Sequence, residues 1–145
     1  MHELDVDATV SALNEILEAE LAGVVRYTHY GLMINGPHRM SLVAFMKAQA
    51  AESLAHAEQA GEILTGLEGH PSLGIAPIEE THRHTIKPIL EESLAHEVRA
   101  LNLYKKLLVV VQDASIYLEE YARGMIGTEE LHVMELRKML RDYAS

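Results

Sequence analysis

The 145-residue sequence contains no cysteine, no tryptophan and a single phenylalanine. Without cysteine there are no disulfides, no thiolate zinc sites and no cysteine nucleophile. With so few aromatic rings, the core must come from Leu, Ala, Ile, Val, Met and the six tyrosines. Leu, Ala, Met and Glu are strong helix formers. Only four prolines and nine glycines interrupt the chain, so its elements must be few and long. Basic residues are outnumbered, 12 Lys and Arg against 22 Asp and Glu, for a formal charge of −10. Phosphate binding needs a basic surface, so a nucleic-acid partner is not expected. No apolar run reaches the roughly eighteen residues of a membrane span. The best stretch, Leu101 to Val111, is broken by Lys105 and Lys106. The opening Met1-His2-Glu3-Leu4-Asp5 has no basic n-region or apolar run of a secretory leader, so the expected location is cytoplasmic.

What remains reads as one all-α domain over residues 1–145. Apolar residues recur with helical spacing at Val10, Leu13, Ile16, Leu17, Leu21, Val24 and Tyr27, which predicts a helix from Asp5 to Met33. Asn35-Gly36-Pro37 ends it. A second helix is expected from about Ser41 to Leu67, followed by turn chemistry from Gly69 to Pro77. A third is expected from about Glu80 to Val111, with Pro88 tolerated near its start. Gln112 to Ser115 forms a corner, and a fourth helix runs to about Tyr143, with Gly124 and Gly127 as weak points. At 1.5 Å per residue such helices are about 40–48 Å long, so they must lie side by side. Two short links make antiparallel pairs, and the long connection between helices two and three acts as a crossover. No internal sequence repeat is evident, although both halves share a helix-corner-helix plan.

Several acids and histidines fall on core-facing stripes at the helix midpoints, where a polar group is costly unless paired or bound to metal. These are Glu20 in helix one, His56 in helix two, Glu97 in helix three, and Glu129 with His132 in helix four. Glu52 lies one turn before His56 on the same face and either ligates with it or points to solvent. Each acid taken singly could be satisfied by an arginine such as Arg26 or Arg99. Their common height across four helices points instead to metal, and carboxylate with imidazole suits iron, manganese or zinc. Ferritin-like di-iron bundles use one Glu from each of two helices and Glu-x-x-His from each of the other two. Glu129 and His132 fit that spacing, but the position three before His56 is Ser53. The remaining histidines, at positions 2, 29, 38, 70, 82, 84 and 96, are expected at the surface or at helix ends. Among them His82 and His84 are a candidate accessory metal pair.

At these residues the chain resembles a bacterioferritin. The resemblance is carried by Leu13-Asn14-Glu15-Ile16-Leu17 leading to Glu20-Leu21 and Tyr27, and by Glu52-Ser53-Leu54-Ala55-His56-Ala57 with the exit Leu67-Glu68-Gly69-His70-Pro71. It continues through Glu97 with Asn102-Leu103 and closes on Glu129-Glu130-Leu131-His132. It implies a ferritin-like four-helix bundle and a ferroxidase, which oxidises Fe(II) with dioxygen or peroxide for iron storage or detoxification. Two iron ions per subunit are implied, with manganese or zinc as substitutes. Glu20, His56 and Glu97 are then ligands, Glu129 a bridge, His132 a ligand to the second iron, and Tyr27 a hydrogen-bonding neighbour. Three departures follow. Ser53 stands at the second bridging acid, so Glu52 is expected to substitute or the centre to be degraded. Leu54 stands at the haem-ligating methionine, so no haem is expected. The sequence ends at Ser145 without the family's fifth helix, so a homo-oligomer of at least a dimer is expected, with a cage possible. A non-storage oxidase or peroxidase dimer and a structural iron-binding subunit are the alternatives.

Overall fold

A computed structural model describes residues 2–141 and 143. It contains four helices, α1 (Val6–Met33), α2 (Arg39–Gly66), α3 (Ile86–Val111) and α4 (Ile116–Arg141), and no strand among the described residues. Asp5 caps α1, its Oδ1 accepting from the Ala8 amide at 3.0 Å, which satisfies one of the free N–H groups of the first turn. Ser115 does the same for α4, accepting from Leu118 N at 3.2 Å. Gly124 and Gly127 do not interrupt α4. That helix ends by Arg141; Tyr143 lies in a turn, and Ser145 is outside the described residues.

The third helix begins at Ile86, later than the expected Glu80. The reason lies in two residues. His82 has φ of 55°, in the left-handed region that a helix cannot contain. Starting at Ile86 also puts Pro88 in the first turn, where its missing N–H costs no hydrogen bond.

The crossover therefore spans residues 67–85 and climbs along α1. Gly69 sits so close to this helix that a Cβ would lie 2.8 Å from Val10. Asn14 of α1 then grips the strap twice, donating to His70 O at 3.1 Å and accepting from Ser72 N at 2.8 Å. Further up, Ala76 N donates to Glu18 O at 3.0 Å. This path starts at the beginning of α1 and ends near its end, so α3 runs parallel to α2 and antiparallel to α1.

The apolar interior is divided in two. One cluster gathers Leu13, Ile16, Leu64, Tyr104, Leu107 and Met125, and the other Tyr27, Ile34, Met46, Ile89, Leu90 and Leu136. Between them, at the middle of all four helices, lies a layer of acids and histidines. The two apolar cores above and below fix its height.

Candidate metal centre

Glu20, Glu97 and Glu129 are 2%, 3% and 1% exposed. Among the described residues no lysine or arginine pairs with any of them; Arg26 turns away, its Nη1 donating to the Tyr30 hydroxyl at 2.7 Å. Burying three carboxylates without a fixed cation costs several kcal/mol per ion. The partners present are two imidazoles. His56 Nδ1 lies 2.9 Å from Glu20 Oε2 and 3.9 Å from Glu129 Oε1. His132 Nδ1 lies 3.6 Å from Glu129 Oε2 and 3.8 Å from Glu97 Oε2. Two ligand groups result, Glu20–His56–Glu129 and Glu97–Glu129–His132, each with its donor atoms within 4.8 Å of one another. Glu129 belongs to both, one oxygen facing each histidine.

Electrostatics mark the same layer. Burial, with Glu97 and Glu20 close by, pushes the Glu129 carboxyl up. Burial also works against the charged form of Glu97, yet contacts from His132, Glu129 and Tyr27 outweigh it and hold that group down. His132 is pushed up to about 11 by its contacts with Glu129 and then Glu97. Burial lowers His56, but Glu20 beside it more than compensates. Glu129 Oε2 and His132 Nδ1 are buried without a hydrogen-bond partner, a rare condition in a folded chain. A donor set of carboxylate oxygens and imidazole nitrogens with unpartnered atoms facing inward fits a pair of divalent metal ions.

Two tyrosines hold the outer carboxylates. Tyr27 Oη donates to Glu97 Oε1 at 2.6 Å, and Tyr104 Oη donates to Glu20 Oε2 at 2.8 Å. The pairing is crossed, since Tyr27 follows Glu20 on α1 and Tyr104 follows Glu97 on α3. Burial drives both hydroxyls well above the usual tyrosine range, so both remain donors. Tyr104 was not anticipated from the sequence. The signal was available: Glu-x6-Tyr occurs in α1 and again in α3 at the same spacing.

Glu52 occupies a position of its own. Its Oε1 lies 3.6 Å from His56 Nε2 and 3.1 Å from His132 Nε2. It therefore stands against the far nitrogens of both rings, outside the two ligand groups. Ser53 packs on α1, where a Cβ on Gly23 would meet Ser53 Oγ and His96 Nε2 at 2.8 Å each. Only glycine leaves room there. His96, expected at the surface or at a helix end, lies mid-helix and is 4% exposed. Burial holds it down at about 4, so it is neutral, and its Nε2 has no hydrogen-bond partner. Leu54, in the haem-methionine position, is 44% exposed.

A layer of acids and histidines shared by four antiparallel and parallel helices defines a candidate carboxylate–histidine metal centre of the bundle type. The sequence profile of the ferritin-like domain matches residues 10–145, and the chain belongs to the ferritin family. Its fold is similar to that of ferritin-like, diiron-carboxylate proteins from Bacillus anthracis str. Ames, with a TM-score of 0.88 at 23% identity over 96% of this chain and 99% of that one. A dodecameric thioferritin from Bacteroides fragilis, a bacterioferritin-related protein, gives 0.90 at 21% identity over 98% and 89%. Dps from Thermosynechococcus elongatus gives 0.84 at 17% over 92% and 90%. No curated protein matches the chain. No helix is long and apolar enough to cross a membrane among the described residues.

Proposed function

We propose that the protein is a ferroxidase that binds two iron ions per chain and oxidises Fe(II) with dioxygen or peroxide, for iron storage or detoxification, as a homo-oligomer of at least two chains. The observation that supports this most is the placement of Glu129, which faces both histidines at once and so can bridge two ions. Glu20 and His56 serve the first ion, Glu97 and His132 the second. Tyr27 and Tyr104 orient the outer carboxylates. Bound iron supplies the redox chemistry, giving up electrons to the oxidant.

The residues themselves set geometry and charge. With both ions bound, Glu20, Glu97 and Glu129 would carry three negative charges inside the centre, and Glu52 a fourth behind the imidazoles. Two divalent ions bring four positive charges, so the buried layer becomes neutral when loaded. In this reading Glu52 replaces the charge of the acid absent at Ser53, but not its place as a ligand. Its carboxylate faces the outer ring nitrogens, the side from which a negative charge favours Nδ1 of each ring turned inward.

The test is aerobic addition of Fe(II) to the purified protein, following Fe(III) absorbance. A rate no faster than buffer alone would rule out ferroxidase activity. Glu129→Ala is expected to abolish paired binding, and two metals per chain in that variant would sink the assignment. Ser53 favours one second reading, an iron-binding subunit with a weakened pair. In that case metal analysis finds fewer than two tightly held ions per chain and iron oxidation stays at the buffer rate.

A further inference from the structure

Away from the central layer, the crossover meets the end of α1 at His29, Glu80 and His84. We propose that these three residues form a second metal site, mononuclear and specific for a divalent first-row transition ion. Their ligand atoms lie within 4.8 Å of one another. His29 Nε2 is 3.1 Å from Glu80 Oε2, and His84 Nε2 is 3.5 Å from Glu80 Oε1. Two donors bound tetrahedrally at zinc-like bond lengths are about 3.3 Å apart, so the observed separations bracket what such an ion requires. The His29 and His84 rings meet edge to face, with centroids 5.4 Å apart. Both Nε2 atoms are buried without a hydrogen-bond partner, which sets them apart from ordinary surface histidines. Two imidazoles and one carboxylate leave coordination positions open, and the cluster opens on a cavity of about 200 Å³ that Val25 and Ile78 also line.

The cluster is braced from outside. Glu92 of α3 accepts from Tyr30 Oη at 2.9 Å and from Thr81 Oγ1 at 2.7 Å. Tyr30 and Thr81 are the chain neighbours of His29 and Glu80, so one α3 carboxylate holds both halves of the site. The left-handed turn at His82 brings Glu80 and His84 to the same side, and His82 N donates to Glu80 Oε1 at 2.7 Å. Arg83 does not compete for Glu80, lying 3.9 Å from Glu91 instead. The expected accessory pair of His82 and His84 is thus replaced by His84 with His29, a residue far away in sequence. Along α1, His29 is nine residues beyond Glu20, about 13 Å at 1.5 Å per residue, so the site is separate from the central layer. It rests on no part of the ferroxidase reading.

The experiment is equilibrium dialysis of chelator-stripped protein against Zn(II), with metal analysis of wild type, His29→Ala/His84→Ala and Glu129→Ala. The double variant is expected to bind one zinc fewer per chain than wild type. Glu129→Ala is expected to keep this one ion while losing the central pair. Equal stoichiometry in wild type and the double variant would overturn the proposal, whatever the central layer binds. His84→Ala alone, which lies outside any helix, gives the same comparison if circular dichroism shows the double variant unfolded. Co(II) adds a second readout. The visible bands of the outer ion should disappear in His84→Ala and persist in Glu129→Ala; bands unchanged in His84→Ala would refute the ligand set.

Discussion

Glu52→Gln separates three roles that a carboxylate beside two metal-facing histidines can play. In the structure one oxygen of Glu52 lies 3.6 Å from the outer nitrogen of His56 and 3.1 Å from that of His132, as an ion-pair partner of both. Glutamine keeps the length of the side chain but removes the charge, and its one carbonyl oxygen accepts more weakly from both rings. Loss of an outer acceptor of a metal-bound histidine typically weakens metal binding about 10–100-fold, or about 1.4–2.7 kcal/mol per ion. The Glu52 side chain is 36% exposed, so water replaces part of what is lost, and the expected effect is near the lower end, about 10-fold. Because one carboxylate stands behind both rings, both ions should weaken together. Competitive titration of Zn(II) or Co(II) against a chromophoric chelator measures the two affinities. If Glu52 were instead a direct ligand, one ion would be lost and the other nearly unaffected. If it were a solvated surface acid, neither affinity would move. Either result refutes the outer-acceptor reasoning.

Tyr27→Phe and Tyr104→Phe each remove the hydroxyl donor of a buried carboxylate and should each lower metal-free stability by about 1.5–3 kcal/mol. Urea denaturation checks this, and a loss below about 0.5 kcal/mol would mean that other groups satisfy Glu97 and Glu20. Gly23→Ala places a Cβ 2.8 Å from Ser53 Oγ and His96 Nε2. Overpacking of about 1–3 kcal/mol should exceed the gain of about 1 kcal/mol in helix propensity, so the melting temperature falls. A rise would show that α2 and α3 do not crowd α1 there. Gly127→Ala meets no atom within 4 Å in the interior of α4, and should stabilise by about 0.5–1 kcal/mol. A loss in the same urea assay would show that something covers this face.

The candidate ligands at positions 20, 56, 97, 129 and 132 are legible because each breaks an apolar stripe at the middle of a long helix. That signal belongs to one helix at a time, and only their shared height turned it into a centre. Relations between helices were harder to read. Tyr104 reaches across from α3 to Glu20, so its role becomes visible only once α1 and α3 are known to run antiparallel with residues 20 and 104 opposed. Because adjacent helical residues point about 100° apart, His96 beside the buried Glu97 would fall away from the buried face. That inference assumes a helix with one buried face. Since α3 packs on both α1 and α4, two of its faces are covered, and the residue beside a ligand is buried as well.

The start of α3 shows a different failure, in which good helix formers such as Glu79 and Glu80 stand ahead of a proline. Pro88 is tolerable near the start of a helix from Glu80, but it marks the first turn more strongly. That error has a chemical consequence. A helix from Glu80 would place Glu80 and His84 on one face as an ordinary i, i+4 pair, with no reason to meet α1. Unwinding residues 80–84 frees them to approach His29, so the misplaced helix boundary and the overlooked histidine cluster have one cause. The same logic applies to Glu52. Its position four residues before His56 admits ligation, solvation or outer contact equally, and only the approach of His132 from α4 to 3.1 Å favours the last. A carboxylate that faces two histidines on different helices couples the two halves of the centre, so a change at Glu52 should be felt at both ions.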